Sequence, residues 1–374
     1  MVENIDNFSD DFRERLRKNK DDDRLLTIIP FIGYGTTKTV LLSGRVIENK
    51  YDITPQKDDG RWENLKNLYK RFETDEVSGA RVRATFLETT VETETDAEGY
   101  FNAALDVNGV LPDELFHEVE LHLLAPEENE SSARVAAQVL VPPATARFGI
   151  ISDLDDTVLT TNVTNKLKMF LTVALRNEYT RLPFRGVAAF YRALRKGIGG
   201  AENNPIFYVS SSPWNLYALL TEFLRIQEIP LGPLFLKDFG SHTFFSSSDH
   251  QSHKITNIEK ILNAYPHLPF ILIGDSGEQD PEIYAEIVRR FPQRILVIYI
   301  RNVNLDPDRV AAIESLITEI KIAGSQLVLA PDTQFAAAHA VAQNLIAAEE
   351  LELVEIEKLE DDAAATQQSF AEED

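Results

Sequence analysis

Apolar and polar positions change rhythm near the middle of the chain. From about residue 148, short apolar runs alternate with amphipathic stretches. The runs "FGIIS" (148–152), "IFYVS" (206–210), "GPLFL" (232–236), "FILIG" (270–274), "ILVIYI" (295–300) and "QLVLA" (326–330) have the length and composition of fully buried strands. Between most of them lie helical patterns: "WNLYALLTEFLRI", "KITNIEKILNAY", "DPEIYAEIVRRF" and "DPDRVAAIESLITEIKIA". Strand followed by helix, repeated, predicts a parallel sheet covered by helices on both faces. In such sheets ligands bind beyond the carboxyl ends of the strands.

The first part reads differently. "TVLLSGRVIE", "ARVRATFLETTVETET", "YFNAALDV", "HEVELHLLA" and "ARVAAQVLV" are β-rich, several with period-two alternation. "TDAEGYF" supplies a turn between two of them. Short strands at this spacing predict a β-sandwich of immunoglobulin-like or transthyretin-like type over 25–145. A short helix, "RWENLKNLYKRF" at 61–72, interrupts it. The expected organisation is an arm over 1–24, the sandwich over 25–145, an α/β domain over 146–348 and an acidic tail over 349–374. "VPPATAR" at 141–147 is a proline-stiffened linker at the boundary.

Composition alters this picture little. The 374 residues are 44% hydrophobic and 26% charged, as in ordinary globular proteins. The absence of cysteine excludes disulfides and thiolate zinc sites. No apolar run approaches a membrane span, and the N-terminal stretch has no signal-peptide core, so a cytoplasmic location is the default expectation.

Charge adds more. A net charge of −23 makes nonspecific nucleic-acid binding unfavourable. Residues 349–374 hold eleven acidic residues and one lysine, whereas 158–200 hold eight basic residues and one acid. The basic segment follows directly on the acidic cluster Asp153, Asp155 and Asp156.

That cluster ends the first apolar run of the α/β half, where the topology puts a ligand site. In Asp153-x-Asp155-x-Thr157, two carboxylates projecting into one cleft repel unless a hard cation such as Mg²⁺ neutralises them. One carboxylate can then attack phosphorus. The other can protonate the departing alkoxide and later activate water. The plainer reading of a lone Asp-x-Asp is an acidic turn or helix cap. Three further segments favour chemistry. In "FYVSSSPWNLY", Ser210 ends the second strand and is assigned to phosphate. Ser212 before Pro213 is assigned to a helix cap, and Ser211 stands between the two roles. Lys254, opening the "KITNIEKIL" helix, is preferred to Lys237 as the cation against the transferring oxygens. In "FILIGDSGEQDPEIY", Asp275 is placed to complete a metal shell, while Asp280 either supports Lys254 or the metal or simply starts a helix with Pro281. His242, His250 and His253 read as polar loop histidines rather than a metal site.

These elements, in this order, resemble the haloacid dehalogenase superfamily of aspartate-nucleophile phosphatases. "RFGIISDLDDTVL", "FYVSSSPWNLY", "LKDFG", "HKITNIEKIL" and "PFILIGDSGEQDPEIYAEIV" together resemble the catalytic domain of the actin-patch-associated phosphatidate phosphatase family, over roughly residues 145–345. "TDAEGYF" and "LVPP" are similar to the front half of bacterial members. The resemblance implies a Rossmannoid parallel sheet with a small helical cap insertion at about 160–200. It also implies Mg²⁺-dependent hydrolysis of phosphatidate to diacylglycerol and phosphate. Carried over by motif, Asp153 is the nucleophile and Asp155 the acid/base. Asp153, the Asp155 carbonyl and Asp275 hold Mg²⁺. Ser210, with Ser211 beside it, and Lys254 bind the phosphoryl group, while Thr157 and Asp280 support the site. The proline-rich partner-binding regions of fungal members have no counterpart in the sequence, so no cytoskeletal role is expected.

Within the insertion, Val163, Leu167, Phe170, Leu171, Ala174 and Leu175 share one face at helical spacing, with Lys166 and Lys168 beside them. Lys166, Lys168 and Phe170 are therefore candidate contacts with an anionic lipid surface. The plainer reading packs that face on the protein's own core. Two alternatives to a phosphatidate phosphatase follow: a soluble phosphomonoesterase of the same chemistry, and a non-catalytic module that grips phospholipid headgroups.

Overall fold

The computed structural model describes residues 25–49, 76–124, 134–154, 186–237, 247–303 and 306–359. Outside it lie Asp155, Thr157, Lys166, Lys168, Phe170, His242 and the helix expected at 61–72. The chain divides into two compact units, Met1–Val141 and Pro142–Asp374.

In the first unit the described strands are β1 (Leu25–Pro30), β2 (Gly33–Gly35), β3 (Thr39–Asn49), β4 (Arg81–Phe86), β5 (Thr89–Glu94), β6 (Tyr100–Asp106), β7 (Phe116–Leu124) and β8 (Arg134–Leu140). Hydrogen bonds join them in the order β1-β3-β2-β8-β7-β4-β5, with β6 on β3. Thus β2, bonded to both β3 and β8, links all the strands into one sheet rather than two separate ones. Period-two patterning fixes which face is inward. In β6, Phe101, Ala103 and Leu105 are buried and the residues between them face out. With Val40, Val82, Val119 and Val139 they form one apolar cluster. The "TDAEGYF" turn is formed as expected: Asp96 Oδ1 accepts from Glu98 N and Tyr100 N, both at 2.9 Å. "ARVRATFLETTVETET", β-rich in sequence, is a hairpin. It bends at Leu87, whose φ is +52°, and the turn carries no glycine, asparagine or proline to announce it.

In the second unit β9 (Gly149–Asp153), β10 (Ile206–Pro213), β11 (Leu234–Lys237), β12 (Phe270–Asp275), β13 (Ile295–Arg301) and β14 (Leu327–Ala330) form a six-stranded sheet ordered β11-β10-β9-β12-β13-β14. Every pairing in it is parallel. The interleaved helices are α1 (Val187–Lys196), α2 (Tyr217–Ile226), α3 (Ser247–Ala264), α4 (Asp280–Arg290), α5 (Pro307–Ile322) and α6 (Thr333–Ala342). The central strands are buried on both faces, as their unbroken apolar runs require. Phe148, Ile150, Ile151, Phe207, Tyr208 and Phe270 are at most 1% exposed. Truncating one of these phenylalanine rings to alanine costs about 3–5 kcal/mol. Gly149 lets β9 approach β12: a Cβ there would stand 2.3 Å from the Phe270 ring.

Two helix starts differ from expectation. Helix α3 begins at Ser247, so Lys254 and His253 sit inside it, neither at its opening nor in a loop. "SSDHQSH" has no apolar periodicity to reveal those first two turns. After β10, a single 3-10 turn at Trp214–Leu216 precedes α2, and no side chain caps it, so Ser212 is not a cap. Ser212 N instead donates to Ser210 Oγ at 3.0 Å, and the strand runs on to Pro213.

The acidic segment from 349 reads as solvated or as a frayed acidic helix; residues 349–359 are helical, and the helix is packed. Val354 is fully buried. Glu350 pairs with Lys196 at 2.8 Å, and Glu357 pairs with Arg192 and accepts from Ala189 N at the start of α1. Part of the basic excess of 158–200 is therefore neutralised inside the fold.

Candidate active site

Strand order puts the C-terminal ends of β9, β10 and β12 side by side, with β9 in the middle. Val209 is the register partner of Asp153, so Ser210 lies one step beyond it on β10. Asp275 ends β12, the other neighbour of β9. Alternating side-chain directions then carry the polar residue at each strand end into the space above the sheet.

The centre of the site is the ammonium of Lys254, reaching in from α3. Its Nζ lies 2.7 Å from Asp153 Oδ1, 2.8 Å from Glu278 Oε2 and 3.1 Å from Asp280 Oδ1. The Lys254 and Asp153 side chains are each 4% exposed, and Asp280 is fully buried. Removing one partner of an ion pair so shielded from water would leave an uncompensated buried charge, which holds these groups together. Asp280 serves twice. Its Oδ1 meets Lys254, while its Oδ2 accepts from Asp275 N at 3.1 Å, tying the start of α4 to the end of β12. Only glycine fits at 274, because a Cβ there would stand 2.3 Å from Asp280 Oδ2.

Asp275 is held by its own loop. Its Oδ1 accepts from Gly277 N at 2.7 Å and Glu278 N at 3.2 Å, and its Oδ2 lies 4.0 Å from the guanidinium of Arg301. Arg309 braces the same loop from α5, donating to Ser276 O at 3.0 Å and pairing with Glu282. On the β9 side, Ser152 Oγ donates to Asp153 O at 2.9 Å and lies 2.7 Å from Tyr191 Oη. The tyrosine must therefore donate to the serine. Burial of the Tyr191 phenol pushes its pKa up to about 12, so it keeps that proton.

Asp153 and Asp275 line the same cavity, together with Arg301. Ser210 and Lys254 do not line it. Ser210 is fully buried, with its carbonyl 3.2 Å from His253 Nε2, and Ser211 is half-buried beside it. Asp153 thus stands at a junction, with Lys254 on one side and the cavity on the other. Among the described residues, oxygens of Asp153, Glu278 and Asp280 lie within 4.8 Å of one another. An ammonium already occupies that cluster. Asp153 and Asp275, from adjacent strands, offer the same cavity hard carboxylate oxygens, the ligand type a divalent cation takes.

Residues 148–302 match the family model described as phosphatidate phosphatase APP1, catalytic domain. The matched stretch contains Asp153, Ser210, Lys254, Asp275 and Asp280. Phosphatidate phosphatase APP1 of Saccharomyces cerevisiae is 38% identical over 157 residues, covering 41% of this chain and 26% of that protein. An uncharacterized Schizosaccharomyces pombe protein, C29B5.04c, is 29% identical over 249 residues, covering 64% of this chain and 38% of its own length. The chain therefore spans well under half the length of either curated relative. Among solved structures, the PilB minor pilin from Streptococcus sanguinis overlays with a TM-score of 0.27 at 9% identity, covering 74% of this chain and 89% of that one. A likeness that loose carries no argument.

Sequence reasoning missed Glu278, Tyr191, Arg301 and Arg309. Glu278 lay in view within "GDSGEQD", between two carboxylates already singled out. The other three act across the sheet, and nothing local marks them.

Proposed function

We propose that this chain is a phosphomonoester hydrolase of the phosphatidate phosphatase type, with Asp153 as nucleophile. The carrying observation is the Asp153–Lys254–Asp280 arrangement at the end of β9, inside the stretch matching the phosphatidate phosphatase catalytic domain. In this reading the sheet is a haloacid dehalogenase-like Rossmannoid core, and the segment at about 160–200 is its cap. A carboxylate oxygen of Asp153 attacks phosphorus, and the bond from phosphorus to the alcohol oxygen breaks. Asp155 gives its proton to the departing alkoxide, leaving an aspartyl-phosphate. Asp155 then takes a proton from water, whose oxygen attacks phosphorus and regenerates Asp153.

Lys254, held by Asp280 and Glu278, keeps a fixed positive charge against the phosphoryl oxygens. Ser210 and Ser211 complete that side. Tyr191, through Ser152, fixes the backbone carbonyl of Asp153. In this reading Asp153, the Asp155 carbonyl and Asp275 would hold Mg²⁺, which would supply charge neutralisation at the phosphoryl oxygens.

The alcohol is diacylglycerol, on the strength of the family match, and Lys166, Lys168 and Phe170 are the surface that meets the lipid. Among the described residues no helix is long and apolar enough to cross a membrane, so contact with a bilayer would be peripheral. The test is phosphate release with Mg²⁺ from phosphatidate in mixed micelles, set against soluble phosphomonoesters. Asp153→Asn is expected to lower release about 10³-fold or more. Undiminished release by that variant would refute the assigned nucleophile.

A further inference from the structure

The cavity at Asp153 joins a charged part to an apolar one. Asp153, Asp275, Arg301 and Asp332 line it with charge. The rest of its wall includes Phe190, Tyr191 and Tyr208, with Leu224, Ile229 and Tyr299. The three tyrosines would make that wall polar if their hydroxyls faced inward with bonding capacity to spare. Each hydroxyl is instead taken up by the protein. Tyr191 Oη lies 2.7 Å from Ser152 Oγ, Tyr208 Oη donates to Pro230 O at 2.6 Å, and Tyr299 Oη lies 3.0 Å from His339 Nδ1. What remains for a ligand is ring face and aliphatic carbon. Burial raises the pKa of all three phenols, in keeping with surroundings poor in water. The empty space within this lining, open solvent included, is about 770 Å³.

We infer that this cavity receives a hydrocarbon chain of the leaving alcohol, so that the enzyme selects phosphomonoesters of long-chain alcohols by a pocket within the protein. The inference rests on the phosphatase reading above. It adds that selection does not need a membrane: the wall of β9, β10, β13, α1 and α2 recognises a single chain, with Asp153 fixing the phosphorus at one end. A chain entering here exchanges water contact for ring and aliphatic contact, and no hydroxyl of the tyrosine wall loses its partner.

The test uses monomeric alkyl phosphates from methyl to decyl, below their micelle concentrations and without lipid, on the full chain with Mg²⁺. The expected result is a rise in kcat/KM of about two- to fourfold per added methylene until the cavity is full. Hydrolysis at one rate for all lengths overturns the inference and leaves the phosphatase reading standing. No hydrolysis of any alkyl phosphate or of phosphatidate overturns the reading itself. Two variants locate the effect. Ala336→Phe fills the cavity from α6, and Val187→Phe fills it from the half-buried start of α1. Either is expected to erase the gain with length while leaving methyl phosphate hydrolysis within about twofold of the unaltered protein. Where Ala336→Phe fails to fold, Val187→Phe decides. A length dependence unchanged in a folded variant overturns the assignment to this cavity.

Discussion

At the residue scale, the site turns on one buried ammonium. Replacing Lys254 by Met keeps much of the side-chain length and removes the charge, leaving Asp153 and Asp280 buried without their cation. The expected cost is about 3–5 kcal/mol of stability, read by denaturant unfolding, together with loss of phosphate release. A second residue reports on pH. Burial lowers the pKa of His339 below its ordinary 6.5, so the unfolded chain takes up the proton first as pH falls. The stability linked to the neutral ring is therefore present above 6.5 and is lost as pH drops toward the lowered folded value. Between about pH 7.5 and 5.5 the thermal midpoint should fall further for the unaltered protein than for His339→Asn, whose side chain cannot titrate. Asp153, Lys254 and Asp275 were legible in the sequence because each abuts a strand or helix with a clear apolar pattern. Glu278 and Arg301 were not, since their meaning comes from partners across the loop or sheet.

At the scale of elements, the six parallel strands could be read because each is a bounded apolar run, and burial on both faces leaves no other use for such a run. Boundaries were harder. The start of α3 is polar throughout, and the β4–β5 turn uses Leu87 where glycine or asparagine would have signalled it. The junction of β12 with α4 gives the sharpest test of this scale. Gly274→Ala would press its methyl group into the Asp280 carboxylate. Overpacking of this kind costs about 1–3 kcal/mol. Because Asp280 holds Lys254, phosphate release should drop more than stability alone explains. An active, fully folded Gly274→Ala protein would show that Asp280 can move without disturbing the lysine.

At the scale of the whole molecule, the change from a β half to an α/β half was visible in the chain, because the periodicity switches from two to a longer repeat. The place of the acidic segment was not, since a run of glutamates looks alike whether solvated or paired. Its apolar residues are spread among the glutamates, and of them Val354 is buried and Leu351 half-buried, while the arginine and lysine that Glu357 and Glu350 meet lie more than a hundred and fifty residues earlier.

The charges gathered at the strand ends have one more consequence. Four carboxylates, those of Asp153, Asp275, Glu278 and Asp280, stand there against the cations of Lys254 and Arg301. On the proposed reading, such a basin would turn inorganic phosphate away on its own and admit it once a divalent ion had made up the deficit. Loading should therefore be ordered, metal before anion. Thermal shift with phosphate alone should be flat, and phosphate added over Mg²⁺ should raise the midpoint; equal shifts in both arms would show that the lysine and arginine suffice.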